Sequence, residues 1–441
     1  MKQNKYKRAI DHLASKNCPE EDIIYYLECV EQFFGFDWLV EKGNHKLQIL
    51  WQRRDALSTN ELFAIGKAIK SLKNEHESWL KKTIANIKKQ PEGAHGFITE
   101  IILASSITAD KSKTNPAPAN KPGFDISMNG ENGQNILISV KNHDISKHYK
   151  DFLKHSEKIR EKFIMTINTL KISARLVVYF LKPISKDLYK ECILLMHFMV
   201  KGYGNYCTND GIVNIRVIPM NDFDGKPTMT GSELCIISAP FHKNEHIGFK
   251  SKLKIASENM KKHLPKDPNT LRLLFMRLHH AADIKLLGEI ANNMILSDES
   301  CGFDQVMLIQ PSVARTADGR STIHTCFNFT QPIRSTPERN ILDIYKGIGN
   351  IRYAFPVGTF SNSPTNMIIK DENRPDVQIE QNYIYQRGII KTKAESRSDG
   401  SYWGEVSSPA SGIHVVSCFD VNGQSFILEA IKPENEELLL I

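Results

Sequence analysis

The sequence is short of several things that would assign a class at once. It holds no CxxC or CxH pairing: the eight cysteines, Cys18, Cys29, Cys192, Cys207, Cys235, Cys301, Cys326 and Cys418, are scattered. This argues against a zinc ribbon and against a dense disulfide scaffold. Its longest apolar run, Cys192 to Val200, is broken by His197 and falls well short of the roughly 20 residues a membrane span needs. Lys2, Lys5, Lys7 and Arg8 open the chain, but AIDHLASKN follows, too polar for the apolar part of a signal peptide. No G-x-x-x-x-G-K-[ST] loop is present, so nucleotide hydrolysis to drive movement along DNA is not expected. Gly347-Ile-Gly349 is an isolated pair and suggests no dinucleotide site, and no repeat recurs at a fixed period. Charge of one sign is in only mild excess: 57 Lys plus Arg face 50 Asp plus Glu, a formal +7, which permits nucleic-acid binding without demanding it. The expectation is a protein of the reducing cytoplasm with no membrane partner.

What is present reads as a mixed α/β chain of two or three domains for its 441 residues. Ser58 and Glu61 fit a capping box, and Leu62, Ile65, Ile69, Leu72, Trp79, Thr83 and Ile87 recur at three and four, which predicts one helix from Ser58 to Lys89, ended by Pro91. With DIIYYLECVEQFF upstream, residues 1–91 read as a helical module. From 92 to 225 the pattern is mixed: the apolar helix GFITEIILASSI, a Pro/Asn/Lys-rich loop, strands GFDIS and NILISVK, a helix from about Ser146 to Asn168, strand RLVVYF, a helix ending in CILLMHFMV and strand IVNIRVI. A second α/β segment, 226–300, carries strands ELCIISAPF and LRLLFMRL, with helices near 250–263 and 281–294. The last part, 301–441, begins with DQVMLIQP and is β-rich, with hairpin signals at Ala317-Asp318-Gly319-Arg320 and Val421-Asn422-Gly423.

Chemistry concentrates in the 92–225 segment. Glu100 stands inside the apolar FITEIILA, where a carboxylate needs a metal, a cation or hydrogen-bond donors. Asp125 follows 25 residues later in Pro-Gly-Phe-Asp-Ile, and Ser139 and Lys141 come 14 and 16 residues after that in Ile-Leu-Ile-Ser-Val-Lys. Alternation along a strand puts Ser139 and Lys141 on one face. An ammonium group beside an acidic strand suits metal-dependent phosphodiester cleavage. Carboxylates hold Mg²⁺, the metal polarises phosphate and activates water, and a lysine orients that water or stabilises the growing charge.

This order and spacing, from Glu92 to Phe180, resembles the PD-(D/E)XK, restriction-endonuclease-like nuclease superfamily: an acid on the first helix, a Gly-x-Asp strand, an acid-x-Lys strand, then a helix and a strand. The resemblance implies a restriction-endonuclease-like core with Glu100 and Asp125 holding Mg²⁺ or Mn²⁺, Lys141 catalytic, and DNA as substrate. It also suggests a restriction or anti-phage setting, with two-strand cleavage expected of a homodimer or higher oligomer and an accessory protein as a further partner. Ser139 departs from the pattern, which has Asp or Glu there; a hydroxyl is a poor Mg²⁺ ligand, and Asp144 or Glu157 would have to compensate. The alternative is a catalytically decayed nuclease fold serving as a nucleic-acid-binding or assembly subunit.

Other signals point elsewhere. His242, Glu245 and His246 form H-x-x-E-H, the pattern of inverted zinc peptidases, but Pro240 and Gly248 flank it and a loop or a helix entry is the more natural reading. His279 and His280 read as structural. Residues 242–266 hold seven lysines against two acids, so Lys250, Lys252 and Lys254, with Lys147 and Lys150 on the earlier helix, are candidates for phosphate contacts, as against an ordinary solvated helix face. Arg387, Lys391, Lys393 and Arg397 among Tyr383, Tyr385, Tyr402 and Trp403 suit either base stacking or β-packing, with packing favoured.

Overall fold

The computed structural model describes residues 6–8, 10–118, 123–130, 133–172, 174–202, 204–208, 211–219, 233–264, 267–297, 301–315, 321–330, 341–362, 367–371, 374–379, 382–388, 392–396, 402–406, 413–421 and 424–431. The chain opens with five helices, α1 (Glu20–Phe34), α2 (Phe36–Val40), α3 (Lys46–Gln52), α4 (Ala56–Leu72) and α5 (Glu77–Lys89). The single helix expected over Ser58–Lys89 is two. Between Leu72 and Trp79 no apolar residue is available to bury, and the helix breaks there. Its start also differs: Asp55 caps α4, its carboxylate accepting the Ser58 N–H at 3.0 Å, so Ser58 and Glu61 lie inside the helix. α4 is buried along nearly its whole length, as a helix at the centre of a bundle must be. Gly66 allows this: a Cβ there would stand 2.1 Å from the Tyr26 carbonyl oxygen of α1.

Next come α6 (Ala94–Ser106), β1 (Ile107–Ala109), β2 (Lys113–Pro116), β3 (Ile126–Asn129) and β4 (Asn135–His143). The chain then builds α7 (Lys147–Leu170), β5 (Ala174–Phe180), α8 (Lys186–Gly202), β6 (Asn205–Cys207), β7 (Val213–Pro219) and β8 (Glu233–Pro240) before α9 (Glu245–His263), β9 (Thr270–Leu278), α10 (Ile284–Ser297), β10 (Gln305–Arg315), β11 (Ser321–Phe329), α11 (Ile341–Ile348), β12 (Ile351–Tyr353) and β13 (Thr359–Ser361). The remaining strands are β14 (Met367–Asp371), β15 (Arg374–Ile379), β16 (Asn382–Gly388), β17 (Thr392–Ser396), β18 (Tyr402–Val406), β19 (Ile413–Val421) and β20 (Gln424–Ile431). The fold is mixed α/β, and no described helix is long and apolar enough to cross a membrane.

The structure divides the chain differently from the sequence reading. One unit takes Met1–Asp144, His246–Pro364 and Leu438–Ile441; the other takes Ile145–Glu245 and Thr365–Glu437. The contiguous segments 92–225, 226–300 and 301–441 are therefore each cut. In the first unit the sheet runs β2-β3-β4-β9-β10, with β11 beside β10 and β13 beside β11. β4, β9 and β10 are parallel neighbours, Ser139 opposite Leu274 and Gln305 opposite Leu273, and parallel pairing needs a long crossover. Here α9 and α10 supply it. Their Phe249, Leu253, Met260, Leu287 and Ala291 bury against Leu274, Met276, Val306 and Leu308 on one face, while α6 packs on β4 and α4 on β11.

In the second unit the sheet order is β16-β8-β5-β7-β6, with α7 against α8; β14 pairs with β15 and β19, β19 with β20, and β17 with β18, all antiparallel. Strand RLVVYF, expected to close the nuclease-like core, lies here as β5 between β7 and β8. The helix and strand that follow β4 in its own sheet are α9 and β9, after some 100 intervening residues. RLVVYF and LRLLFMRL are both short apolar runs suited to a parallel sheet, and such runs do not specify their partner.

Candidate active site at the open edge of β4

β3 pairs with β4 only through Ile126↔Ile138 to Asn129↔Asn135. Beyond Ile138, β4 continues with no backbone partner on that side among the described residues, leaving N–H groups to satisfy. Asp125, just ahead of β3, fills the gap. Its own N–H donates to the Ile138 carbonyl at 2.8 Å, and its Oδ2 accepts the Val140 N–H at 2.6 Å and the Ser139 hydroxyl at 3.3 Å. Lys141, two residues on, donates to the Val140 carbonyl at 3.0 Å and brings its Nζ to 3.7 Å from the same Asp125 Oδ2. Lys141 and Asp125 keep 39% and 27% of their side-chain surface exposed, so both can be reached by substrate; Ser139 is buried.

Glu100 comes to this edge from α6. Burial pushes its carboxyl up to about 8, and the nearby Asp125 charge pushes the same way, while Lys141 opposes. Two carboxylates thus converge and repel, and among the described residues no hydrogen bond reaches Glu100 to relieve it. Two hard oxygen donors, a raised carboxyl and an open side fit a Mg²⁺ or Mn²⁺ ion that keeps several of its waters. No described group of three or more His, Cys, Asp and Glu side chains is placed to hold a metal, so protein ligation here rests on the two carboxylates.

The structure therefore brings together Glu100, Asp125, Ser139 and Lys141. Asp144 and Glu157, the acids that would have to compensate for Ser139, are held by other partners. Asp144 Oδ1 lies 3.4 Å from His95 Nδ1, and Glu157 is engaged by Arg160 at 3.2 Å and by the Tyr385 hydroxyl. The five candidate lysines divide as well. Lys147, Lys150, Lys250 and Lys254 are exposed, whereas Lys252 is half-buried and donates to the Asn142 carbonyl at 2.7 Å, so it braces the end of β4.

In the H-x-x-E-H segment Glu245 opens α9, a helix entry rather than a loop. Its Oε2 accepts the hydroxyls of Ser146 at 2.7 Å and Tyr383 at 2.6 Å, and the His242 ring stacks on His148 with centroids 3.6 Å apart. Tyr383 and Tyr385 are buried in β16 against β8, with Arg387 over the Tyr385 ring at 5.0 Å, which is β-packing. Lys391 and Arg397, and the side chains of Lys393, Tyr402 and Trp403, lie outside the described residues. His95, on the first turn of α6, is buried between Lys46 and Asp144. Its only trace in the sequence is a polar residue at the head of an apolar helix.

No family model, curated protein or solved structure matches the chain.

Proposed function

We propose that this chain is a metal-dependent phosphodiesterase acting on DNA, with its site at the open edge of β4. The observation that supports this most is the meeting of Glu100, Asp125 and Lys141, from a helix, the lead-in to a strand and the next strand, at one solvent-reachable point. Glu100 and Asp125 would hold Mg²⁺ or Mn²⁺, which supplies charge for the phosphate and lowers the pKa of bound water. Asp125 is fixed for the task by the Val140 N–H, so its orientation is set before any ligand arrives. Lys141 directs an ammonium group into the same space, where it orients the attacking water or takes up charge developing on the phosphate. Ser139 contributes a hydrogen bond to Asp125 in place of a third charge.

That neutral Ser139 favours one second reading, a nuclease-like fold that binds nucleic acid without cutting it. Purified protein incubated with supercoiled and linear DNA in Mg²⁺, Mn²⁺ or EDTA separates the two. The hydrolytic reading expects metal-dependent cutting that is lost in Asp125→Ala and Lys141→Ala. Binding without cutting under every metal condition sinks it and leaves the second.

A further inference from the structure

Glu100 of α6 faces Asp125 at the edge of β4, and the Asp125 charge works against its ionisation, so something must hold the helix against the strand. A side-chain hydrogen bond joins α6 to the residue that follows β4: His95 Nδ1 to Asp144 Oδ1, 3.4 Å. His95 precedes Glu100 by five residues, about 7.5 Å of helix rise, and Asp144 follows Lys141 by three. Between them Gly96 of α6 faces Asn142 of β4: a Cβ there would stand 3.8 Å from the Asn142 amide nitrogen, an ordinary van der Waals distance, so helix and strand are packed together at this point.

The proton arrangement of this contact follows from its neighbours. His95 Nε2 lies 3.3 Å from the Lys46 ammonium, and an ammonium can only donate. Nε2 is therefore bare, and the ring proton sits on Nδ1, facing Asp144. Burial, then Arg277, lower His95 to about 4, so the ring stays neutral and this tautomer persists at neutral pH. Burial alone would raise Asp144, but His95, Lys252 and Arg277 hold it well below the usual carboxylate range. The imidazole is thus gripped at both nitrogens, by α3 on one side and by the residue after β4 on the other.

We propose that His95 and Asp144 are a positioning pair that holds Glu100 at metal-binding distance from Asp125. The idea rests on the metal-site reading above and adds two residues to it that touch neither metal nor substrate. Outer residues that orient metal ligands change metal affinity by about ten- to a hundredfold when removed, and that is the scale expected here.

The test is Mn²⁺ binding by titration calorimetry to the full chain, with thermal unfolding of the metal-free protein measured beside it. His95→Ala and Asp144→Ala are expected to weaken Mn²⁺ about ten- to a hundredfold. His95→Asn, whose amide N–H can stand where Nδ1–H stands, is expected to recover most of that loss even if its thermal midpoint stays low. If the alanine variants unfold earlier but bind Mn²⁺ as the wild type does, or if His95→Asn recovers nothing, the pair is only structural and the proposal falls alone. If the wild type binds no Mn²⁺, the metal-site reading falls and takes the proposal with it.

Discussion

Replacing Glu100 with glutamine isolates the electrostatic cost of the site. In the folded, metal-free protein the Glu100 carboxyl is raised to about 8 from an ordinary 4.5. Below pH 4.5 the group is neutral in both folded and unfolded chains and costs nothing. Between 4.5 and 8 the folded state keeps a proton that the unfolded state releases, so stability falls as pH rises, by up to about 1.4 kcal/mol per unit. Above pH 8 the whole penalty is present, with a ceiling of ~5 kcal/mol that solvent relaxation will reduce. Glu100→Gln has no such charge. It should match the wild type near pH 4.5 and exceed it by several kcal/mol at pH 8.5. Urea unfolding in EDTA at those two pH values measures this, and tryptophan fluorescence suits it because Trp38, Trp51 and Trp79 lie in the unit that carries the site. Adding Mn²⁺ at pH 8.5 should then stabilise the wild type and leave Glu100→Gln unmoved. A difference between the two proteins that does not change with pH would show that Glu100 is not held protonated in the folded state.

Mn²⁺ affinity of the wild type should rise close to tenfold per pH unit from 6 to 8 and then level off, because Glu100 must lose its proton to bind; a flat profile by calorimetry would show Glu100 is not a ligand. Ser139→Asp restores an acid beside Asp125, and should lower metal-free stability by about 1–3 kcal/mol while tightening Mn²⁺ at least tenfold; unchanged affinity would count against a metal at this edge. Lys250→Ala with Lys254→Ala should flatten the salt dependence of DNA binding by about two counterions, measured by fluorescence anisotropy, whereas Lys252→Ala should act on stability through the lost Asn142 contact. Gly66→Ala drives a methyl into the Tyr26 carbonyl and should cost about 1–3 kcal/mol; a urea midpoint equal to the wild type's would show that α1 and α4 yield there.

Most individual elements were legible because each carries its own period: FITEIILA as a helix, NILISVK and LRLLFMRL as strands. Ser146 caps α7 through the Tyr149 N–H, close to where that helix was expected to begin. Pairing was not legible. β4 finds β9 across a second unit, and an apolar strand carries no mark of which neighbour it will take. The break between α4 and α5 was visible in principle, in the polar run after Leu72, but the apolar spacing resumes in phase and conceals it. Glu100, Asp125, Ser139 and Lys141 could be grouped from order and spacing, since alternation along β4 and the short hairpin with β3 bring them close. His95 could not, because its meaning lies in Lys46 and Asp144, 49 residues away on either side, and nothing local marks it.

Single-turnover cleavage of a labelled DNA duplex in Mg²⁺, comparing wild type with Lys141→Ala, tests the central claim most directly. Metal-dependent hydrolysis by the wild type is expected, at a rate about 10²–10³ lower for Lys141→Ala, with EDTA abolishing both. Cleavage undiminished in Lys141→Ala, or none by a wild type shown to bind Mn²⁺ and DNA, would contradict it.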